Sequence, residues 1–345
     1  MPKTEPMRLR LDGLRLVART GLLIVLPVLL VVPGVWGCSK PREVPSASET
    51  LAASSATSAE QAASEGEAET GNAPAANASA ASAGSTALRE VDPDALTAQL
   101  RAANPSFQGV AVMERQGGEV VVAVNDPVVS DISPLAGLRI HKLDLFQCGV
   151  EDLTPLKGLP LTALAIDRSR VVDLRPLEGM PLEYLSASET GLEDLTPLRG
   201  CPLRQLNLVR TKVRDLSPLA GCPLQSLWLN DTPVRDVSPL ASTPLESLTL
   251  AGTAVEDLRP LKGMPLKRLH IARTPVKDLT PLRWLMLERL VFSPSRIENG
   301  LDVIRAMPGL REIGTAFGES DWGIEDRLYP PGEFWELLDQ GKLAE

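Results

Sequence analysis

The chain has 345 residues, of which 3% are aromatic, and it carries a formal net charge of −9 at pH 7. An excess of acidic residues argues against a nucleic-acid-binding protein, which needs a basic surface for the phosphate backbone. With so few aromatic rings, Leu and Val must fill the core, which favours a core built in layers over two compact ones.

The chain opens with a basic segment that is followed by an apolar run at residues 21–38. The run has about the length of the apolar part of a signal peptide, whereas a helix that spans a bilayer needs about 20 apolar residues. Pro27 and Pro33 further disfavour a straight membrane helix. We therefore predict a signal peptide over residues 1–37.

The apolar run ends in the letters VWGC at residues 35–38, which resemble the lipobox of bacterial lipoproteins. The resemblance implies that Cys38 is S-diacylated and becomes the mature amino terminus. An uncleaved single-span anchor and ordinary cleavage remain alternatives, and all three place the rest of the chain outside the cytoplasm. We expect a membrane-anchored protein of the cell envelope that faces the periplasm or the exterior.

Residues 38–87 are rich in Ala, Ser and Glu. Such a composition buries too little apolar surface to fold. We predict a disordered, lipid-anchored linker whose root-mean-square reach is ~40 Å, from about 5–6 Å times the square root of its length.

Residues 131–298 repeat one unit every 21 residues, which predicts eight repeats. The unit reads D-L-[ST]-P-L-x-G-x-P-L-x-x-L-x-L-x-x-T-x-V-x, and this period and leucine spacing are typical of leucine-rich repeats. The aspartates that open the units are Asp131, Asp152, Asp173, Asp194, Asp215, Asp236, Asp257 and Asp278.

The fixed letters of the unit predict one coil of a solenoid. Leucine pairs such as Leu206 and Leu208 alternate as in a strand, with the leucines inward and the residue between them outward. The Ser/Thr-Pro-Leu step is expected to cap a tight helical turn, and we interpret the aspartates as caps and not as calcium ligands. The predicted fold class is an α/β solenoid with a curved parallel β-sheet on its concave face and short turns on its convex face.

Two further slots carry hydroxyls or thiols. The slot after the strand holds Ser or Thr in most units, such as Thr211, and we expect these hydroxyls to satisfy the turning backbone. Cys201 and Cys222 share another slot in neighbouring units. They are interpreted as buried thiols, with a disulfide as the alternative because Cα separations of about 4.4–6.8 Å permit one.

The flanks of the repeats predict covers for the ends of the solenoid, which otherwise expose its core. Residues 88–130 predict an N-terminal cap made of a helix that begins after Asp92 and a hairpin around Gly117. Residues 299–345 predict a helical C-terminal cap with a last strand. The residues expected to cover that end are Trp322, Phe334 and Trp335.

The repeat unit resembles the internalin-type leucine-rich repeats of bacteria, in which Asp-Ile-Ser-Pro-Leu recurs, and it is shorter by one residue. It is also similar to repeat modules attached to bacterial Ser/Thr kinases, whose tails the letters FWELLDQGK resemble. The match covers residues 131–298. The resemblance implies the fold, and the only function that it implies is binding. The sequence contains no kinase motif, so it does not imply kinase activity.

The concave face is the predicted binding surface, because its residues vary between units. Aromatic residues and Arg dominate protein interfaces, and Trp228 is the leading candidate because it is a large ring near the middle of the stack. The candidate partner-binding residues are Phe146, Tyr184, Asn207, Trp228, Asn230, Arg268, His270 and Arg289.

Catalysis finds no support in the sequence. His141 and His270 lie six repeats apart, about 29 Å at ~4.8 Å per coil, and no nucleophile motif, metal cluster or phosphate loop is present. We predict a monomeric, non-enzymatic, protein- or peptide-binding module without cofactor or metal, displayed from a membrane by its N-terminal lipid. Alternatives are a scaffolding or glycan-contacting envelope protein and a regulatory relative of the kinase-linked modules.

Overall fold

The computed structural model of the protein describes residues 88–317 and 327–344. Within them, twelve strands form one sheet in chain order. The first and last pairs are antiparallel, and all the others are parallel. The predicted solenoid with capped ends is confirmed. The predicted signal peptide and linker, together with Cys38 and Trp322, lie outside the described residues.

The strands that form the repeats are three residues long, and those at the two ends reach five residues. In chain order they are β1 (Val112–Gln116), β2 (Glu119–Ala123), β3 (Lys142–Asp144), β4 (Ala163–Ala165), β5 (Tyr184–Ser186), β6 (Gln205–Asn207), β7 (Ser226–Trp228), β8 (Ser247–Thr249), β9 (Arg268–His270), β10 (Arg289–Val291), β11 (Glu312–Ala316) and β12 (Arg327–Tyr329).

Each coil repeats its predecessor without a change of register. Leu206 pairs with Leu185 on one side and with Leu227 on the other, each 21 residues away. All three leucines are fully buried. The side opposite each strand is closed by a short 3₁₀ turn, such as Ser217–Leu219. Equivalent side chains therefore stack along the solenoid and bury one another.

The repeating aspartates cap these turns, as predicted. In Asp215, for example, Oδ1 accepts a hydrogen bond of 2.8 Å from the backbone N–H of Ser217, and the same bond forms in every unit. The expectation that Ser or Thr itself caps the turn is wrong. That residue is the first of the turn, and its backbone N–H is the group that needs an acceptor.

The hydroxyls in the slot after the strand form hydrogen bonds within their own coil. Thr211 Oγ1 donates to the carbonyl of Leu208 at 2.8 Å, three residues earlier, and Thr190, Thr232 and Thr253 make the equivalent bond. These bonds satisfy a carbonyl at the point where the chain leaves the strand. The predicted role of the hydroxyls is thereby confirmed.

The thiols of the described coils are free and buried. Cys201 and Cys222 are each 3% exposed and are not bridged, so the alternative of a disulfide between them does not hold in this structure. Burial raises the pKa of both thiols. Cys148 occupies the hydroxyl slot of the first coil, and its Sγ donates across the coils to the carbonyl of Val124 at 2.7 Å.

The N-terminal cap is a helix packed beside a hairpin. Helix α1 (Pro93–Ala103) begins after Asp92, whose Oδ1 accepts from two backbone N–H groups of the first turn. Strands β1 and β2 form the hairpin, and β2 continues as the first parallel strand of the stack. Asn104 ends the helix and ties it to the first coil, because its side-chain amide bonds both the N–H and the carbonyl of Asp131.

The C-terminal cap covers the other end of the core with aromatic rings. Helix α2 (Leu301–Arg305) leads into β11, and helix α3 (Pro331–Asp339) carries Phe334 and Trp335 onto the last coil. The Phe334 ring lies 5.8 Å from that of Phe292, and both are fully buried. The antiparallel strand β12 was not predicted, since its three residues show no repeat pattern. None of the described helices is long and apolar enough to cross a bilayer.

A ridge of residues with left-handed backbone follows the strands. Most of its members are not glycine, and the φ angles of these lie between 54° and 58°. The ridge consists of Gln147, Arg168, Glu189, Arg210, Asp231, Gly252 and Arg273.

Gly252 lies in this ridge between Asp231 and Arg273, two charged residues that form an ion pair across the coil of Gly252. Arg273 reaches past it to Asp231 at 3.3 Å, and Arg210 lies 3.7 Å from the same carboxylate on the other side. A Cβ at Gly252 would run into Oδ1 of Asp231. A side chain at this position would therefore displace Asp231, whereas the φ of 69° is close to the angles that non-glycine residues adopt elsewhere in the ridge.

We predict that Gly252→Ala destabilises the protein more than Gly221→Ala. Gly221 has a φ of 78°, and a Cβ added to it would have no neighbouring atom within 4 Å. The Gly221 variant therefore reports backbone strain alone, about 1–2 kcal/mol. Gly252→Ala adds the displacement of Asp231 from Arg273, which we expect to cost about 1 kcal/mol more. Urea unfolding of both variants measures the difference, and equal losses would contradict it.

Candidate functional site

The concave face is defined here by three residues of each coil: the first and third residues of the strand and the residue two positions further on. In the first coils, the third strand residue and the residue two positions further on are more buried than the sequence pattern indicates. Most of the candidate residues lie on this face half-buried: Phe146, Tyr184, Asn207, Trp228 and Arg289. Arg268 is exposed, whereas Asn230 and His270 are buried.

A polar network joins the candidates of β5 and β6. Asn207 Nδ2 donates to Ser186 Oγ at 3.1 Å, and Ser186 Oγ donates to Asp167 Oδ1 at 2.6 Å. The hydroxyl and the backbone N–H of Ser188 donate to that same oxygen. Burial raises the pKa of the neighbouring Tyr184 to about 12, so its phenol stays neutral at physiological pH.

Asp144 lies beside this network on β3. It is 5% exposed; its Oδ1 accepts from the N–H of Phe146 at 2.9 Å, and its Oδ2 accepts from Asn125 Nδ2 at 3.3 Å. Burial raises the pKa of this carboxyl, and the charge of Asp167 adds to the effect. Two carboxylates of successive coils are thus held close together in a desolvated setting.

Three members of this cluster, Asp144, Asp167 and Ser186, were not predicted from the sequence. All three occupy concave-face slots, so the available signal was two carboxylates in neighbouring coils near an aromatic residue. That signal is weak by itself, because aromatic and Arg side chains dominate interfaces on average. The hydrogen bonds that join these residues depend on side-chain directions that the repeat pattern does not encode.

Phe146 forms the rim of this network. The guanidinium carbon of Arg168 lies 5.5 Å from the centroid of its ring, a cation–π distance. Arg168 also pairs with Glu189 of the next coil at 3.1 Å. The ring is therefore held in place at the edge of the concave face.

Trp228 and Asn230 mark the middle of the face and differ in what they can contact. Trp228 is the third residue of β7 and remains half-buried, with part of its ring open to solvent. Asn230 is 7% exposed, and its Oδ1 accepts from the N–H of Ala251 at 3.1 Å. Asn230 therefore links two coils by a hydrogen bond, whereas the ring of Trp228 remains available for contact with a partner.

The downstream end of the face carries arginines. Arg268 on β9 is exposed. Arg289 on β10 is held from two sides, because it pairs with Glu312 and its guanidinium lies 4.2 Å from the ring centroid of Phe317. Arg289 is thus committed within the protein, and Arg268 is the cation that points to solvent.

His270 is a core residue and not a surface residue. It is 4% exposed on β9. Burial, together with the charge of Arg273, lowers its pKa to about 3, so the imidazole is neutral at physiological pH. Among the described residues no group of His, Cys, Asp or Glu is arranged to hold a metal ion.

We predict that His270 makes stability fall as the pH drops from about 6.5 toward 3. The unfolded chain takes up a proton on this side chain near pH 6.5, while the folded protein does so only near its lowered pKa. The stability contribution is present above the unfolded pKa and is lost below it, by at most about 1.4 kcal/mol per pH unit.

Urea unfolding between pH 7.5 and 4 tests this effect in the wild type and in His270→Asn. The variant should lose the part of the pH dependence of the free energy of unfolding that the imidazole contributes. Above pH 7 this free energy should change with pH equally in both proteins. An imidazole NMR signal of His270 that titrates near pH 6.5 in the folded protein would contradict the prediction.

Solved structures of bacterial repeat proteins resemble this chain. An internalin of Listeria monocytogenes, InlF, matches with 27% identity and a TM-score of 0.53 over 56% of this chain and 60% of its own. Internalin C2 of the same organism has 24% identity and a TM-score of 0.47, covering 58% of this chain and 93% of its own. A leucine-rich-repeat protein of Leptospira interrogans has 17% identity and a TM-score of 0.36, over 53% and 62%.

No family model and no curated protein matches the chain. The match spans less than two thirds of the length of InlF, and it concerns the fold. The registered 21-residue coils, the single sheet and this likeness lead to one conclusion. The chain is a leucine-rich-repeat protein with an internalin-like solenoid.

Proposed function

We propose that the concave face binds a protein or peptide partner, with Tyr184 and Trp228 at the centre of the contact. The observation that carries the proposal is the half-buried ring of Trp228 on a sheet face whose other central residues are small or polar. Such a ring offers a large contact area at a low cost in conformational entropy.

The neighbours of Trp228 support this interpretation. Asn207 pairs with it in the adjacent strand, and Thr249 does so on the other side. Small and polar residues around an aromatic ring leave it accessible to a partner and give that partner groups with which to form hydrogen bonds.

The function that we propose is non-enzymatic. In the described coils, the hydroxyls of Ser186 and Ser188 on the concave face both donate to the one oxygen Oδ1 of Asp167. The buried, neutral His270 lies five strand spacings from Asp167, about 24 Å at ~4.8 Å per spacing. Binding is what this arrangement of groups supports. The likeness to InlF supports the fold on which this proposal rests.

We further propose that the module is displayed at the cell envelope by a lipid on Cys38. The support is the basic segment, the apolar run and the VWGC letters of the sequence. We predict that the wild type incorporates labelled fatty acid and migrates at the mass of a chain that begins at Cys38, whereas Cys38→Ser incorporates no label and stays at the precursor mass because lipobox cleavage acts on the lipidated cysteine. A wild type that carries no label and migrates at the precursor mass would instead indicate an uncleaved anchor.

We predict that Trp228→Ala weakens capture of the partner at least about tenfold, as expected for a central interface ring. The test is affinity capture from an envelope extract with the tagged full chain, quantified by mass spectrometry. Trp284→Ala is the matched control, because Trp284 is 66% exposed at the end of a 3₁₀ turn, away from the strands.

A protein that wild type and Trp284→Ala capture equally and that Trp228→Ala loses would support the proposal. Tyr184→Ala should then weaken the same capture. If Trp228→Ala and Trp284→Ala behave alike, the concave face is not the binding surface.

A further inference from the structure

The charges of the concave face are distributed unevenly along the solenoid. At its upstream end one cation on the face and one on the adjoining ridge are neutralised, since Lys142 pairs with Glu119 at 2.7 Å and Arg168 of the ridge pairs with Glu189 at 3.1 Å. Among the described residues, no Lys or Arg lies within ion-pairing distance of Asp144 or Asp167 on the same face. Two uncompensated negative charges therefore remain there.

The protein's own hydrogen bonds leave part of these carboxylates unused. Asp167 is 7% exposed, and all its bonds within the described coils fall on Oδ1. An ionised carboxylate has about four acceptor sites, so Oδ2 retains its full capacity. Oδ2 is not among the atoms sealed from solvent without a partner, so it keeps some contact with solvent.

The downstream end has the opposite charge. Arg268 is exposed and forms no ion pair within the described part of the chain, whereas Arg289 is paired with Glu312. His270 beside it is neutral. The face therefore runs from net negative at β3 and β4 to net positive at β9, with Tyr184 and Trp228 between the two ends.

We propose that the partner segment is an extended polypeptide that places a Lys or Arg side chain over Asp144 and Asp167 and a carboxylate over Arg268. This inference rests on the proposed binding function of the concave face and adds the chemistry of its partner. A cation from the partner would offset the repulsion between two desolvated carboxylates, which charge complementarity favours.

The spacing of the strands sets the spacing of the two charges in the partner. Asp167 follows β4, and Arg268 begins β9, five strand spacings away. At ~4.8 Å per spacing this is about 24 Å across the sheet, and the four-residue offset along the strands raises the separation to about 27 Å. An extended chain at ~3.4 Å per residue spans that distance in about eight residues. An apolar side chain near the middle of that stretch would meet Trp228 on β7.

The experiment is selection of a phage-displayed library of random dodecapeptides on the full-length protein, since twelve residues exceed the required span. Peptides enriched by the wild type should contain Lys or Arg in excess over the input library, with Asp or Glu about eight residues away. Synthetic copies of the enriched peptides are then measured for affinity by calorimetry.

We expect Asp144→Asn and Asp167→Asn each to weaken these peptides at least about tenfold, and Arg268→Glu to weaken those that carry the acidic residue. Asn keeps an acceptor for Ser186 and Ser188, so the fold should persist, and circular dichroism melting verifies it. The matched control is Glu178→Gln, which neutralises an exposed carboxylate after a 3₁₀ turn on the opposite side.

The outcomes separate this inference from the proposed function. If peptides bind in a manner that depends on Trp228 but show no basic excess and no response to either Asn variant, the charge inference is overturned and the binding function stands. If no enriched peptide depends on Trp228, both are overturned.

Discussion

The parallel pairing of short strands at a constant offset of 21 residues is the constraint on which the rest of the structure depends. Three residues per strand supply too few hydrogen bonds to hold a sheet alone. Each strand is instead held because the leucines beside it lie over their equivalents in the neighbouring coils. One residue more or less in a coil would turn its leucines to the wrong face.

Because of this constraint, each turn must provide hydrogen-bond partners for its own backbone groups. A tight coil must reverse direction on both sides of the strand, and each reversal leaves N–H and carbonyl groups without a partner. The aspartate carboxylates serve the N–H groups on one side, and the threonine hydroxyls serve the carbonyls on the other. Surface ion pairs between coils add little, since exposed pairs contribute about 0–1 kcal/mol each.

The repeat allowed the solenoid, the inward leucines and the aspartate caps to be predicted, because a fixed letter in a fixed slot has the same environment in every coil. The concave face was harder to predict. Asn230 and His270 occupy slots that are open in some coils, and here both are buried. Whether a slot is open depends on the sizes of its neighbours in the adjacent coils, which the repeat pattern does not contain.

The same limit applies to charge. Asp144 and Asp167 are ordinary acidic letters in the sequence, and the ion pairs that neutralise Lys142 and Arg168 are what leave them uncompensated. A charge balance requires knowledge of which long side chains reach which partners. Strand β12 escaped prediction for a related reason, because it is held by pairing with β11 and not by any pattern of its own.

Each hydroxyl hydrogen bond has its donor and its acceptor in the same coil, and this affects how repeats can be gained or lost in evolution. Thr211 and Leu208 belong to one coil, so a deletion or duplication of a whole unit removes or adds donor and acceptor together. Asp215 and Ser217 behave likewise. The contact of Asp231 with Arg273 spans two units across Gly252 and has no such freedom. A gain or loss of a repeat within those three units therefore breaks this pair, at a cost of no more than about 1 kcal/mol.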